Sequence, residues 1–531
     1  MPVSRAARRS ALLAAMLAIL LPCLVGAPAT AAEIYHSDGV DVRWDNTLRY
    51  SAAFRLFSQD PALISNPNYD DGDRNFARGL VSNRLDLLSE LDIDGGDIGA
   101  RLSFAGWYDT VYHQRNDNDS PRTFNPQSVP HDQFTRSVRR LHGQDLQLGD
   151  AFVHGAFDAD GVPVSFRLGR YALLWGESLF FGENGISGGQ APTDVIRELN
   201  SPSGYAKDVF LPVWQASFTL QPLNSVTLGA YYQLQWRRDQ LPGAGSYFSY
   251  ADFYDVGGER YILPLQRSLF RAPDIRGRDT GQFGVSLQFN AFDATWGLYA
   301  LRFNSKEPQI YFYNNVYRAD PRGLGDGLYR LVYPSGAYIF GASANAYIGD
   351  STIAGEISLR THTPLVAEPI TVPPGVAADG GANALYPIGD TLHGQISSQT
   401  TFAGGWLWRR AELDVELAAN DRVSFVRNAS ALEPGRTAFA SAVQASFAPQ
   451  YFEALPGLDV SLPIGLGYGL TGRSSVLSAM QAGTGNLELG ISATYLATWQ
   501  ANLTYTRFLG GAQRQTLADR DFILFSVQRT F

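Results

Sequence analysis

Six arginines fall on the polar side of alternating N-terminal segments: Arg43, Arg49, Arg55, Arg84, Arg101 and Arg167. Carboxylates share that side at Asp41, Asp45, Asp86, Glu90, Asp92 and Asp109. Farther along, Glu412, Asp414 and Glu416 make a purely acidic stretch. Charges in such rows have two uses. They form walls that select solutes by sign, as rings do in pores, or they pair with one another and pack an interior that conducts nothing. The residue types leave both open. Arg43, Arg49, Arg84 and Arg101, with Asp86, Glu90 and Asp109, are the selectivity candidates.

Other polar clusters promise less. Asp70-Asp71-Gly72-Asp73 and Asn116-Asp117-Asn118-Asp119-Ser120 place oxygens at alternate positions, as parts of a calcium loop do. Neither has the full spacing with a closing Glu, so the EF-hand pattern fails. Asp70, Asp71 and Asp73 are weak metal candidates, and solvated turn residues are the expected reading. Gly176-Glu177-Ser178 is neither a nucleophile elbow nor a phosphate loop. Trp175, Gly176, Glu177, Phe180 and Phe181 instead suit a loop folding inward over a lumen, with an ordinary outer loop as the alternative. The seven His show no metal-type spacing. No catalytic residue and no cofactor is expected.

The elements that carry these residues alternate with a period of two. Val42, Trp44, Leu48, Tyr50 and Phe54 oppose Asp41, Arg43, Asp45, Arg49, Ser51 and Arg55. Leu85, Leu87, Leu91 and Ile93 oppose Arg84, Asp86, Glu90 and Asp92, with Val81 on the apolar side. This is strand patterning with one apolar and one polar face. Strands are expected near 40–57, 80–94, 98–112, 147–158, 163–172, 211–221, 225–236, 279–290, 293–304, 337–349, 351–361, 392–403, 406–419, 437–448, 457–469, 485–496, 499–508 and 522–531. Their connectors alternate. Short turns such as Gly95-Gly96-Asp97 and Gly404-Gly405 are followed by long loops at 58–79, 113–146, 173–210, 237–278, 305–336 and 362–391. Long loops gathered at one end are the outer-membrane barrel pattern. A short helix is expected over Pro192 to Leu199.

The two ends agree. Phe531 closes an alternating segment, although Arg529 stands where an apolar residue is usual. At the other end Arg5, Arg8 and Arg9 precede an apolar run from Ala11 to Leu21, and Ala29-Thr30-Ala31 is a small-residue cleavage site. Residues 1–32 therefore read as a secretory signal, and residues 33–531 as one barrel domain. Cys23, the single cysteine, lies in the signal. Removing the three arginines shifts the formal charge from −9 to −12. Basic stripes are absent, which argues against nucleic acid. No mature run of apolar residues is long enough for a membrane helix. Aromatic content of 12% and 53 Gly suit strands, girdles and turns.

Several stretches carry a resemblance: residues 44–50 (WDNTLRY), 75–92 (NFARGLVSNRLDLLSELD), 116–121 (NDNDSP), 169–194 (GRYALLWGESLFFGENGISGGQAPTD) and 244–248 (AGSYF). In these the chain resembles the DUF 1302 family of Gram-negative outer-membrane proteins. The resemblance implies a large barrel without a settled activity. It also implies trafficking of a hydrophobic molecule beside a lipoprotein-sorting-like protein and an RND exporter.

The expected fold is an all-β transmembrane antiparallel outer-membrane β-barrel of about 18 strands, with 16 as the alternative count. It has long extracellular loops and short periplasmic turns. The expected role is an outer-membrane channel or envelope-transport component for a small molecule, a lipid or hydrophobic compound among the options. The alternative is a non-conducting structural or adhesion barrel. Outer-membrane lipid, lipopolysaccharide and the barrel-assembly machinery are the expected surroundings.

Overall fold

The computed structural model describes residues 32–531 apart from 38, 202–203, 206, 208 and 315–324. The expected signal segment, Cys23 included, lies outside the described residues except at Ala32. Twenty strands make the main sheet. Ala32–Ser37 pairs with the start of the first long strand. Leu458–Ser461 and Ile464–Thr471 lie between the same two neighbours and are halves of one stave, interrupted at Leu462 and Pro463. Proline supplies no ladder N–H, so the interruption falls there.

Eighteen antiparallel staves remain. They are β1 Val40–Arg55, β2 Gly79–Asp94, β3 Ile98–Asp109, β4 Gln144–Ala159, β5 Val162–Tyr171, β6 Val213–Leu223, β7 Val226–Gln233, β8 Gln282–Ala291 and β9 Ala294–Asn304. There follow β10 Ser335–Ile348, β11 Ser351–Pro364, β12 Ile388–Phe402, β13 Arg410–Arg427, β14 Phe439–Leu455, the split stave β15, β16 Gly485–Tyr495, β17 Trp499–Leu509 and β18 Phe522–Thr530. β1 pairs with β18 from Thr47 opposite Thr530 to Arg55 opposite Phe522, which closes the ring. Phe531 adds two backbone hydrogen bonds to Asn46, at 2.8 and 2.9 Å. A closed sheet leaves no edge unsatisfied.

Alternation sorts the side chains. Leu85, Leu87, Val285, Phe340, Ile357, Leu417 and Ile491 are exposed on the outside. Phe292, Tyr347 and Trp406 project at the short-turn rim, where membrane barrels carry aromatic girdles. Arg529 sits at the same rim with its guanidinium 5.1 Å from the Trp499 ring. Val81 departs from the expected apolar outer face. The β1–β2 register shifts between Ala53 and Phe54, so Val81 is turned inward and buried. Such a shift is a bulge, which re-aims a side chain.

The long connectors form a second layer. Arg260–Ile262, Ser268–Arg271, Gln309–Asn314, Gly325–Val332 and Ile370–Thr371 make a five-stranded sheet above the long-loop rim, with Tyr311, Tyr329 and Leu331 fully buried. Phe76, Tyr112, Phe134, Tyr247, Phe248 and Phe522 share another apolar cluster. The sequence shows none of this packing. β13 also runs on to Arg427 instead of ending near 419. The short helix is present as Val195–Asn200, with the Asp194 side chain accepting from Arg197 N–H, an N-cap.

Candidate functional site

Residues 172–201 leave β5 and cross the lumen. Trp175 packs edge-on to Tyr231 of β7 with centroids 5.0 Å apart, and 5.9 Å from Tyr299 of β9. Beyond it the chain reaches β11 and β13. Glu356 of β11 accepts Glu177 N–H at 2.6 Å and Ile186 N–H at 2.8 Å. Glu416 of β13 accepts Leu179 N–H at 3.0 Å, Phe180 N–H at 2.5 Å and Phe181 N–H at 2.9 Å. Both carboxylates alternate with exposed Ile357 and Leu417, so they face inward, and both are buried. A buried carboxylate needs donors, and an irregular loop has N–H groups to satisfy. Each supplies the other's need.

Gly176 shows why the sequence permits this. Its φ is +92°, and a Cβ there would stand 2.2 Å from Glu356 Oε2. Glycine alone tolerates both the backbone and the approach. Arg360 of β11 adds the opposite polarity, donating through Nη2 to the carbonyls of Glu183, Asn184 and Gly185 at 2.7–2.9 Å. Lys306 Nζ donates to the Gly188 and Gly189 carbonyls. Asn184 Oδ1 meets Asn420 and His393. Asn345 donates to Glu177 and Tyr205 to Asp414. Thus Trp175, Gly176, Glu177, Phe180 and Phe181 lie inside the barrel. Of the acidic stretch, Asp414 and Glu416 bind the loop, and Glu412 pairs with Arg410 at 2.7 Å.

Where the loop meets the long-loop layer it encloses a cavity of 190 Å³, with Glu183, Asp239, Lys306, Glu307 and Arg360 on its walls. Burial, reinforced by Glu183, pushes the Asp239 carboxyl up to about 7. Burial lowers Lys306 to about 8.

The opposite wall stays wet. Arg43 lies 3.1 Å from Asp45 and 3.5 Å from Asp92; Arg49 lies 3.6 Å from Asp86; Arg84 lies 2.7 Å from Asp86. Arg101 pairs with Glu90, with Asp92 at 3.1 Å and with Asp150 at 3.5 Å. These arginines remain 25–58% exposed. The wall is a ladder of alternating sign, not a basic stripe. Two expected members stand elsewhere. Asp109 is buried at the top of β3, accepting from Ser82 Oγ and the N–H groups of Asn83 and Val111. Arg55 is buried between Asp73 and Asp519, 2.9 Å from each.

The first acidic cluster is not a solvated turn, whereas Asp117 and Asp119 of the second are exposed as expected. Asp70, Asp71 and Asp73 are at most 1% exposed. Asp73 joins Arg55 and Arg520. Asn118, from the second cluster, donates to Asp71 at 3.1 Å. Sequence reasoning missed Asp252, which meets Asp70 and Asp71. It lies 181 positions from the N–H of Asp71 that it accepts, so no local signal could find it. Glu356 and Arg360 were missed too, although their alternation with Ile357 and Leu359 was readable.

A family model described as "Protein of unknown function (DUF1302)" matches residues 12–531. The chain belongs to the DUF1302 family. No curated protein matches it. Among solved structures it is similar to Acinetobacter baumannii OccAB4 (TM-score 0.42, 10% identity, 95% of this chain and 100% of that one). It is likewise similar to a BenF-like porin from Pseudomonas fluorescens Pf-5 (0.41, 12%, 92% and 98%). Pseudomonas aeruginosa OpdK with vanillate gives 0.41, 10%, 92% and 98%. In this DUF1302 chain the stretches that carry the family resemblance meet in space. Asn75 donates to the Gly245 carbonyl at 2.7 Å, and Phe76 packs against Tyr247.

Proposed function

We propose that this DUF1302 protein is an outer-membrane channel that passes a small molecule along the Arg–carboxylate ladder of β1–β4. The observation that carries the reading is asymmetric burial. Inward side chains of β10–β13 lie under the latched loop, while the ladder stays exposed within a ring closed by β1 and β18. The apolar outer face suits lipid, and a charged lumen suits polar or charged solutes.

The double variant R49A/R84A tests it by reversal potential in a salt gradient, with barrel closure checked by heat-modifiable migration. A folded variant with shifted ion selectivity is the expected result, because Asp86 loses both arginines. Unchanged selectivity in a folded barrel contradicts the ladder as the path.

The five-stranded roof favours a second reading, a non-conducting barrel acting through its loops. Absence of conductance steps would select it. A hydrophobic cargo passed on with a lipoprotein-sorting-like protein and an RND exporter is what the family resemblance implies; co-purification of such partners after crosslinking tests that part separately.

A further inference from the structure

Asp70, Asp71 and Asp252 each bring a carboxylate oxygen within 4.8 Å of the others. Two come from the loop after β1 and one from the loop after β7. Their donors cover part of them. Arg74 Nε reaches Asp70 Oδ2 at 2.6 Å, Asn118 and Asn125 N–H reach Asp71, and Asp71 N–H reaches Asp252 Oδ2 at 3.0 Å. Asp70 Oδ1 and Asp252 Oδ1 are buried and accept no hydrogen bond. The Thr123 hydroxyl lies beside Asp70, 2.9 Å from Ser120 Oγ.

Three further buried oxygens near the same turn lack partners: Asn125 Oδ1, Ser246 Oγ and Ser249 Oγ. Asn125 is tied to Asp71 by its own N–H. A Cβ on Gly72 would stand 2.3 Å from Ser249 Oγ and 3.0 Å from the Ser246 carbonyl. Arg520, the other nearby cation, pairs with Asp73 and donates through Nη1 to the Tyr247 and Ser249 carbonyls at 2.8 Å. Three buried carboxylates with one arginine in contact, two of them keeping an oxygen that accepts no hydrogen bond, leave negative charge that a dry interior does not tolerate.

We propose that the carboxylates of Asp70, Asp71 and Asp252 bind one calcium ion, which ties the loop after β1 to the loop after β7. The donors are all oxygen, as hard cations require. Oxygens each 2.3–2.6 Å from one ion span up to about 5 Å, and calcium accepts irregular donor sets where magnesium demands an octahedron.

The test uses the mature chain refolded in detergent free of lipopolysaccharide, with closure confirmed by heat-modifiable migration. After dialysis with calcium chloride and removal of excess, bound metal is counted by emission spectroscopy and affinity by calorimetric titration. One calcium per chain is expected, with a fall in thermal midpoint on chelation. Asp252→Asn keeps a carbonyl to accept Asp71 N–H and should weaken affinity by roughly tenfold or more. Asp293→Asn, on an exposed acid at the short-turn rim, should bind like the parent. No retained calcium and no response to chelator would overturn the proposal in favour of protons neutralising the cluster. A closed Asp252→Asn barrel binding like the parent would overturn it as well. If that variant does not close, the parent's stoichiometry and chelator response decide alone.

Discussion

Single positions divide by what surrounds them. Leu87 and Leu489 are exposed on the outer face, and Ser492 points the other way. Lysine at Leu87 should cost roughly 2–4 kcal/mol in refolding titrations, and at Ser492 far less. Equal costs would put the register in error. His142 gives a pH test. It is buried, accepts Gly243 N–H at 3.0 Å and stacks on Tyr112. Burial, and then Arg84, lower its pKa from 6.5 to about 3. The unfolded chain therefore binds the proton more readily. The contribution is whole above about 6.5 and is lost as pH falls toward about 3. His142→Gln should flatten that part of the stability–pH profile; an unchanged slope would exclude His142 as its source. At this scale the sequence was readable where the environment is local. Leu87 follows from alternation. Asp73 does not, because its partner Arg520 lies 447 residues away.

Elements were legible in proportion to their periodicity. The eighteen expected strands match eighteen staves because alternation and turn residues are local signals. Val81 was misread since a bulge adds a residue without changing composition. The packing of the loop layer is not readable, because its order depends on contacts between loops far apart in sequence. The inward loop stands between these cases. Glycines and aromatics hinted at it, but its anchors are on other strands. Arg360 holds three of its carbonyls. Arg360→Met should leave those carbonyls unpaired and cost about 1–3 kcal/mol locally. Proteolysis within 172–201 should then quicken by on the order of tenfold, with the barrel intact by migration. Cleavage at the parental rate would show that Arg360 does not restrain the loop.

The whole molecule is a closed ring whose lumen is divided into a latched side and a wet side. On the proposed function, the wet side conducts and the Glu356–Glu416 latch narrows it. Each Gln in the double variant Glu356→Gln/Glu416→Gln would turn an amide group toward loop N–H donors, weakening five hydrogen bonds. Single-channel recording in planar bilayers compares the two proteins directly. The account predicts small discrete steps for the parent and larger or noisier steps for the folded variant. A folded barrel silent in both forms, or identical steps in both, would contradict it.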